Sequence, residues 1–253
     1  FNPSAVAEQA GISGDKIRVL ARAFARLGTT LALADGKTSN GTAICTAVNL
    51  LNYVVGNIGR TVRFGPTAST GQVSTYAELR NLINEMEAGK IHLLLLSGVN
   101  PVFTLPEGDR FKAALKKVPL VVSFASFLDE TSNAAHLILP DHTFLESWGD
   151  FEPRDGVRGL QQPVMQPLYD TRGLGDVLLS TARQIGLKEV FPWSNFQAYL
   201  QDQWKELHKK FSPPEDFATF WTGSLQQGGL FEPVTPVPVR LKPEVFQYRF
   251  EAP

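Results

Sequence analysis

Residues 136–156, HLILPDHTFLESWGDFEPRDG, bring His136 and His142 close in sequence to Asp141, Glu146, Asp150, Glu152 and Asp155, with Glu130 just upstream. Carboxylates set in different environments can divide acid and base roles, and a histidine beside them can carry a proton. The plainer alternative is that these carboxylates cap turns and pair with Arg154 and Arg158. Glu146 and Asp150 would share a face of a helix, but Gly149 and Pro153 oppose a continuous helix there. Asp141 and His142 are neighbours in sequence, and no G-x-S-x-G elbow supplies a serine nucleophile for them. The four histidines, His92, His136, His142 and His208, are scattered, and neither CxxC nor HExxH occurs. No metal site of familiar spacing is therefore expected from this chain, nor any catalytic residue of its own. Cys45 is the sole cysteine, which excludes an internal disulfide and a cysteine-ligated cluster within the chain. It lies in an apolar helical run and reads as a buried structural thiol.

A second candidate is LLLLSGVNP, residues 93–101. A buried strand that ends in such a turn lets backbone approach a nucleotide at the carboxyl end of a parallel sheet. Gly98 removes a side chain, Ser97 and Asn100 offer polar groups, and Pro101 stiffens the turn. An ordinary strand-to-helix turn has the same composition. In WSNFQAYLQDQWKELHKK, the spacing of Phe196, Leu200, Trp204 and Leu207 describes a packing face rather than a cofactor site.

The elements that must position these residues alternate between two periodicities. Helical stripes are expected in GDKIRVLARAFARLG (Ile17, Leu20, Phe24, Leu27), in TAICTAVNLLNYVVGNIG, in TYAELRNLINEMEAGK (Leu79, Leu82, Ile83, Met86) and in EGDRFKAALKKV. Continuous apolar runs at TTLALAD, IHLLLLSG, PLVVSFA and HLILP read as buried strands, with a short helical turn at LDETSNAA. That order predicts an α/β fold, a Rossmann-like and mostly parallel sheet with helices on both faces. From Pro140 to Thr171 the pattern fails, and a long irregular loop is expected. A helix resumes at LGDVLLSTARQIG, two more are expected near 194–210 and 214–226, and the proline-rich tail reads as an extended arm. The expected segments are an α/β domain over 1–190, a helical extension over 191–229 and an arm or linker over 230–253.

The charge balance, 24 Lys and Arg against 25 Asp and Glu for a net charge of −1, gives no basic surface for nucleic acid. No apolar run approaches the length of a membrane span. The sequence opens on Phe1 without an initiator Met or a signal peptide and is expected to be either processed or a piece of a longer polypeptide.

Three ordered motifs, SNGTAICTAVNLLNYVVGNIGR, INEMEAGKIHLLLLSGVNPVFTLP and FLDETSNAAHLILPDHTFLESWGDFEPRDG, resemble the molybdopterin-dinucleotide oxidoreductases over roughly residues 10–185. The loop that follows is most similar to the polysulfide-reductase-like branch, and within it to the large iron–sulfur subunits of alternative complex III, a bacterial quinol-oxidising complex. The resemblance implies that Ser97, Gly98 and Asn100 face the dinucleotide where a pterin cofactor is bound. In catalytic relatives a Gln-Asp pair recognises the guanine, and here Phe124 and Ala125 stand at those positions. The Pro-Gly-Gly usual after GNIGR is replaced by TVRFG.

The resemblance thus implies a structural domain without a cofactor of its own. Iron–sulfur clusters would lie elsewhere in the parent subunit. Its partners would be other subunits of a membrane electron-transfer complex, including a cluster-bearing domain and a quinol-binding membrane subunit, at the periplasmic face. A fragment of an active polysulfide- or thiosulfate-reductase-like enzyme holding molybdopterin guanine dinucleotide is the alternative, and a free-standing nucleotide-binding module is a third reading.

Overall fold

The computed structural model describes residues 2–26, 28–35, 40–65, 73–154, 156–211, 214–233 and 237–247. Leu27, Asp155 and parts of the proline-rich tail, all named above, lie outside them. Contacts divide the chain into two compact units, Phe1–Thr67 with Pro233–Pro253, and Ala68–Glu232. The units cut across the expected segments.

The first unit is helical. Helix α1, Pro3–Ala10, is capped by Asn2, whose Oδ1 accepts from Ser4 N at 2.9 Å, and Gly11 closes it in the left-handed conformation. It packs against α2, Gly14–Arg26, and α3 spans Gly41–Val54. The expected stripe of α2 is helical, yet none of its residues is buried.

TTLALAD is not a strand. A strand needs a neighbouring backbone to bond, and the peptide of Ala32 is matched instead by one side-chain amide. Asn52 Oδ1 accepts from Ala32 N at 3.0 Å, and its Nδ2 donates to Ala32 O at 2.9 Å. Asn57 Nδ2 donates to Asn52 Oδ1 at 3.0 Å, and Thr61 Oγ1 to Thr30 O at 2.7 Å. Both asparagines are buried, whereas Leu33 is 81% exposed. Val237 N donates to Phe64 O at 2.6 Å, and a short 3-10 turn follows at Pro243–Gln247.

The second unit contains the sheet. Helix α4, Tyr76–Glu87, starts with a full capping box between Thr75 and Glu78. Strand β1, Leu93–Leu96, leads into α5, Pro101–Thr104, then α6, Gly108–Leu115, and β2, Leu120–Ser123. A 3-10 turn at Ser132–Ala134 precedes β3, Leu137–Ile138. The strands pair in parallel in the order β1-β2-β3, with Leu93 opposite Leu120 and Val122 opposite Leu137.

One face of this sheet packs on α4 and α6 through Ile83, Met86, Phe111, Leu115, Leu96 and Val121. Arg110 ties the two helices across the rim, donating to Glu87 at 2.8 and 2.7 Å and to Asn84 at 2.6 Å. The α/β class and the parallel sheet are as expected, but the strands are not uniformly buried. Leu93, Leu95, Leu120 and Leu137 point to the opposite face and are exposed.

The stretch expected to be irregular holds an antiparallel sheet: β4, Gly149–Arg154, pairs with β5, Val157–Gln161. Helices α7, Leu174–Gln184, α8, Phe196–Phe211, and α9, Phe217–Gln227, follow, and β6, Gly229–Phe231, completes the sheet on β5. Gly229 has φ of 144°, and a Cβ there would collide with the Arg158 carbonyl, so β6 can pair only through glycine. This sheet and α8–α9 enclose a second core of Leu160, Leu200, Trp204, Phe220 and Trp221, with Trp148 stacked on Trp221 at 6.1 Å.

Candidate functional site

The SGVNP turn leaves β1 at the carboxyl end of the parallel sheet, where the sequence placed it. Ser97 is exposed, and Gly98 has φ of 65°. A Cβ added to Gly98 would meet nothing within 4 Å, so the backbone here is open. Asn100 is engaged at both ends of its amide. Its Nδ2 donates to Glu130 Oε2 at 2.7 Å, and its Oδ1 accepts from Thr131 Oγ1 at 2.6 Å. Thr131 Oγ1 in turn accepts from Val102 N at 3.0 Å. These bonds clamp the loop after β1 to the loop after β2.

The bond from Asn100 is the largest influence holding the Glu130 carboxyl below its ordinary range. Glu130 and Thr131 were missed as partners of Asn100. The only signal was their place in LDETSNAA, with no spacing rule to link them across 30 residues. Replacing Asn100 by alanine leaves Thr131 and Glu130 to find water and should lower stability by about 1–2 kcal/mol, read from urea unfolding.

Phe124 is buried and donates its backbone N to Leu96 O at 2.8 Å, continuing the β1–β2 pairing. Ala125 N donates to Ser123 Oγ at 3.2 Å. No carboxylate or amide side chain stands at these two positions. The loops after β1 and β2 instead expose Val99, Phe127 and Leu128, and α5 exposes Phe103.

The charged stretch does not gather into one centre. His136 Nδ1 accepts from Val121 N at 3.0 Å while its own N donates to Val121 O at 2.9 Å, so the ring extends the β2–β3 ladder. Asp150 accepts from Trp204 Nε1 at 3.0 Å and pairs with Arg158 at 3.4 Å; Glu152 also pairs with Arg158. The ion-pair reading of Asp150 and Glu152 holds for Arg158.

Asp141, His142 and Glu146 line a cavity of about 1000 Å³ with Trp148, Met165 and Asp176. Asp141 Oδ1 accepts from His142 N and Leu174 N, both at 2.9 Å, and His142 Nδ1 lies 2.7 Å from Thr171 Oγ1. Among the described residues no group of three or more His, Cys, Asp or Glu could hold a metal ion.

Glu146 is buried and bonds the amides of Leu168 at 2.8 Å and Thr143 at 3.0 Å, which hold its carboxyl below the ordinary 4.5. Its stabilising contribution is therefore complete above that ordinary value and is lost as pH falls through the depressed folded value. Urea midpoints measured between about pH 3 and 7 should fall on the acid side, and Glu146→Gln should flatten that slope.

A family model described as Molybdopterin oxidoreductase matches residues 34–178, more than half of the chain. The chain is 30% identical over 205 residues to the menaquinone reductase, molybdopterin-binding-like subunit of Nitratidesulfovibrio vulgaris, covering 74% of this chain and 30% of that protein. It is 26% identical over 106 residues to the thiosulfate reductase molybdopterin-containing subunit PhsA of Salmonella typhimurium, covering 41% of this chain and 14% of that one. Among solved structures, acetylene hydratase from Pelobacter acetylenicus superposes with a TM-score of 0.58 at 17% identity, over 76% of this chain and 35% of that chain. The chain thus spans less than a third of the length of these two curated relatives.

Proposed function

The chain belongs to the molybdopterin oxidoreductase family, and we propose that it is a non-catalytic structural domain of a membrane-associated quinol-oxidising electron-transfer complex of the alternative complex III type. It carries no cofactor of its own. Iron–sulfur clusters lie elsewhere in the parent subunit, beside a quinol-binding membrane subunit, at the periplasmic face. Among the described residues no helix is long and apolar enough to cross a membrane. A relative named as a molybdopterin-binding-like subunit of a menaquinone reductase supports the quinone-linked setting.

The carrying observation is the carboxyl end of the parallel sheet. A bound guanine needs acceptors for its N–H groups, and positions 124 and 125 hold a buried phenylalanine ring and an alanine. Asn100, the polar side chain nearest in sequence to the open Gly98 on its carboxyl side, has both amide ends occupied by Glu130 and Thr131. Leaving buried polar ligand groups unmatched costs about 1–3 kcal/mol each. These residues do not fit a dinucleotide well, and the exposed apolar side chains on the same loops suit a protein neighbour better.

Metal analysis of the purified complex tests the reading. Sub-stoichiometric molybdenum and tungsten, with no guanine nucleotide released on acid extraction, are expected. Stoichiometric metal with released guanine nucleotide overturns it and favours a fragment of an active polysulfide- or thiosulfate-reductase-like enzyme, a reading that the open backbone at Ser97 and Gly98 would serve.

A further inference from the structure

The face formed by α7 and the start of α8 belongs to none of the features used so far. Leu178 and Ile185 of α7 and its C-terminal cap, with Phe191, Trp193 and Tyr199, wall a groove of about 590 Å³. Trp193 meets Tyr199 edge-on at 5.0 Å, which sets one wall in place. At the floor, a Cβ on Gly175 would collide with the Phe196 ring, so helix and ring meet at the closest approach glycine allows. Ile185 is 67% exposed, and Leu187 and Val190, which follow it in sequence, are exposed as well. Contiguous exposed apolar surface of this kind marks an interaction site rather than ordinary solvent-facing surface.

The groove opens, past Gly175, Leu178 and Phe196, into the wider cavity described above. That end is anionic. Asp141 and Glu146 are bonded to backbone amides as given, and Asp176 Oδ1 accepts from Phe196 N at 2.7 Å. Among the described residues no lysine or arginine forms an ion pair with any of the three carboxylates. His142 beside Glu146 is the one nearby group among the cavity's lining residues that can carry positive charge.

We propose that this groove docks an amphipathic helix of a partner polypeptide, with its apolar side chains along Leu178, Ile185 and Trp193 and its lysines or arginines at the end that meets Asp141, Glu146 and Asp176. An apolar stripe laid in a groove supplies affinity, and the charges fix orientation and exclude acidic competitors. The same carboxylates argue against an anionic lipid surface, which they would repel. The inference goes beyond the proposed function and does not depend on the cofactor state, because a cofactor-bearing domain would keep this face.

The test uses the full 253-residue chain and a fluorescently labelled amphipathic peptide of about 18 residues, leucine-striped and with lysines clustered at one end. Anisotropy should show saturable binding that weakens at least about tenfold when the lysines become glutamates. Ile185→Glu, at an exposed position unable to disturb the core, should abolish it, and the paired change Asp141→Asn with Asp176→Asn, which leaves Glu146 charged, should reduce the preference for lysine over glutamate at least about threefold. Both asparagines retain an oxygen that can accept the capped backbone amides.

Equal binding of a leucine-scrambled peptide, or indifference to peptide charge, overturns the proposal. So does self-association in sedimentation that Ile185→Glu disrupts, which would assign the groove to a second copy. Binding to anionic phospholipid vesicles that Ile185→Glu abolishes would overturn it in favour of a lipid surface.

Discussion

Trp204→Ala should destabilise the Ala68–Glu232 unit by about 3–5 kcal/mol, a large fraction of the about 5–15 kcal/mol ordinary for a folded domain. Trp204 is fully buried, and its ring packs edge-on against Trp221 at 5.8 Å and beside Phe220 at 6.2 Å. Truncation opens a cavity between α8, α9 and the β4–β5–β6 sheet that rigid neighbours cannot fill. It also removes the indole donor from Asp150, leaving that carboxylate with Arg158 alone. Trp204→Phe should cost less than the alanine, because the phenyl ring keeps much of the packing while the hydrogen bond and part of the buried volume are lost. All four tryptophans, Trp148, Trp193, Trp204 and Trp221, lie in this unit. Intrinsic tryptophan fluorescence in urea therefore reads its unfolding without interference from the other unit. A midpoint for Trp204→Ala equal to that of the parent chain would refute this account of the second core.

Asn52→Leu should have the largest effect in the other unit, about 3 kcal/mol, since buried donors and acceptors lose their partners together. The leucine fills the volume but satisfies neither the N–H nor the C=O of Ala32, and it removes the shorter of the Asn57 amide's bonds, leaving the one to Thr30 Oγ1 at 3.4 Å. Because this unit contains no tryptophan, the loss should appear in amide hydrogen exchange of residues 29–35 and 40–65 while the fluorescence transition stays in place. Unchanged exchange in those segments would show that the asparagine network is not what holds them.

Helical periodicity made α2, α3, α4, α6 and α7 legible, because each repeats apolar residues at the spacing of one helical face and most end at a glycine. The parallel strands were legible as runs such as LLLL and LVVS. Burial was not. The side chains of β1 alternate between the α4–α6 core and an exposed face, and an all-leucine strand carries no pattern to say which is which. TTLALAD was misread for the complementary reason. Its composition suits a strand, but the decisive groups are Asn52 and Asn57, 20 and 27 residues away from their partners. The β4–β5 hairpin was hidden by Gly149, Pro153 and a dense set of charges, and its pairing is reinforced by Arg158 bridging Asp150 and Glu152 across the two strands. At the site, the SGVNP turn was legible as a turn at the end of a strand. That Asn100 is held by Glu130 and Thr131 was not, since that bond depends on how β1 and β2 come together.

The joining of Phe1–Thr67 with Pro233–Pro253 orders events during synthesis. A ribosome finishes Glu232 before it makes Val237, whose amide meets Phe64. The sheet-bearing unit can therefore close on itself while the helical one still lacks the segment Pro233–Pro253. For that interval the early helices must wait without their partner, and a stall or truncation just before residue 233 would yield a chain folded in its middle and unfinished at its start. Nascent chains arrested at 232 and released should resist protease across 73–211 and be cut within 2–65, whereas chains carried through to 253 should resist in both.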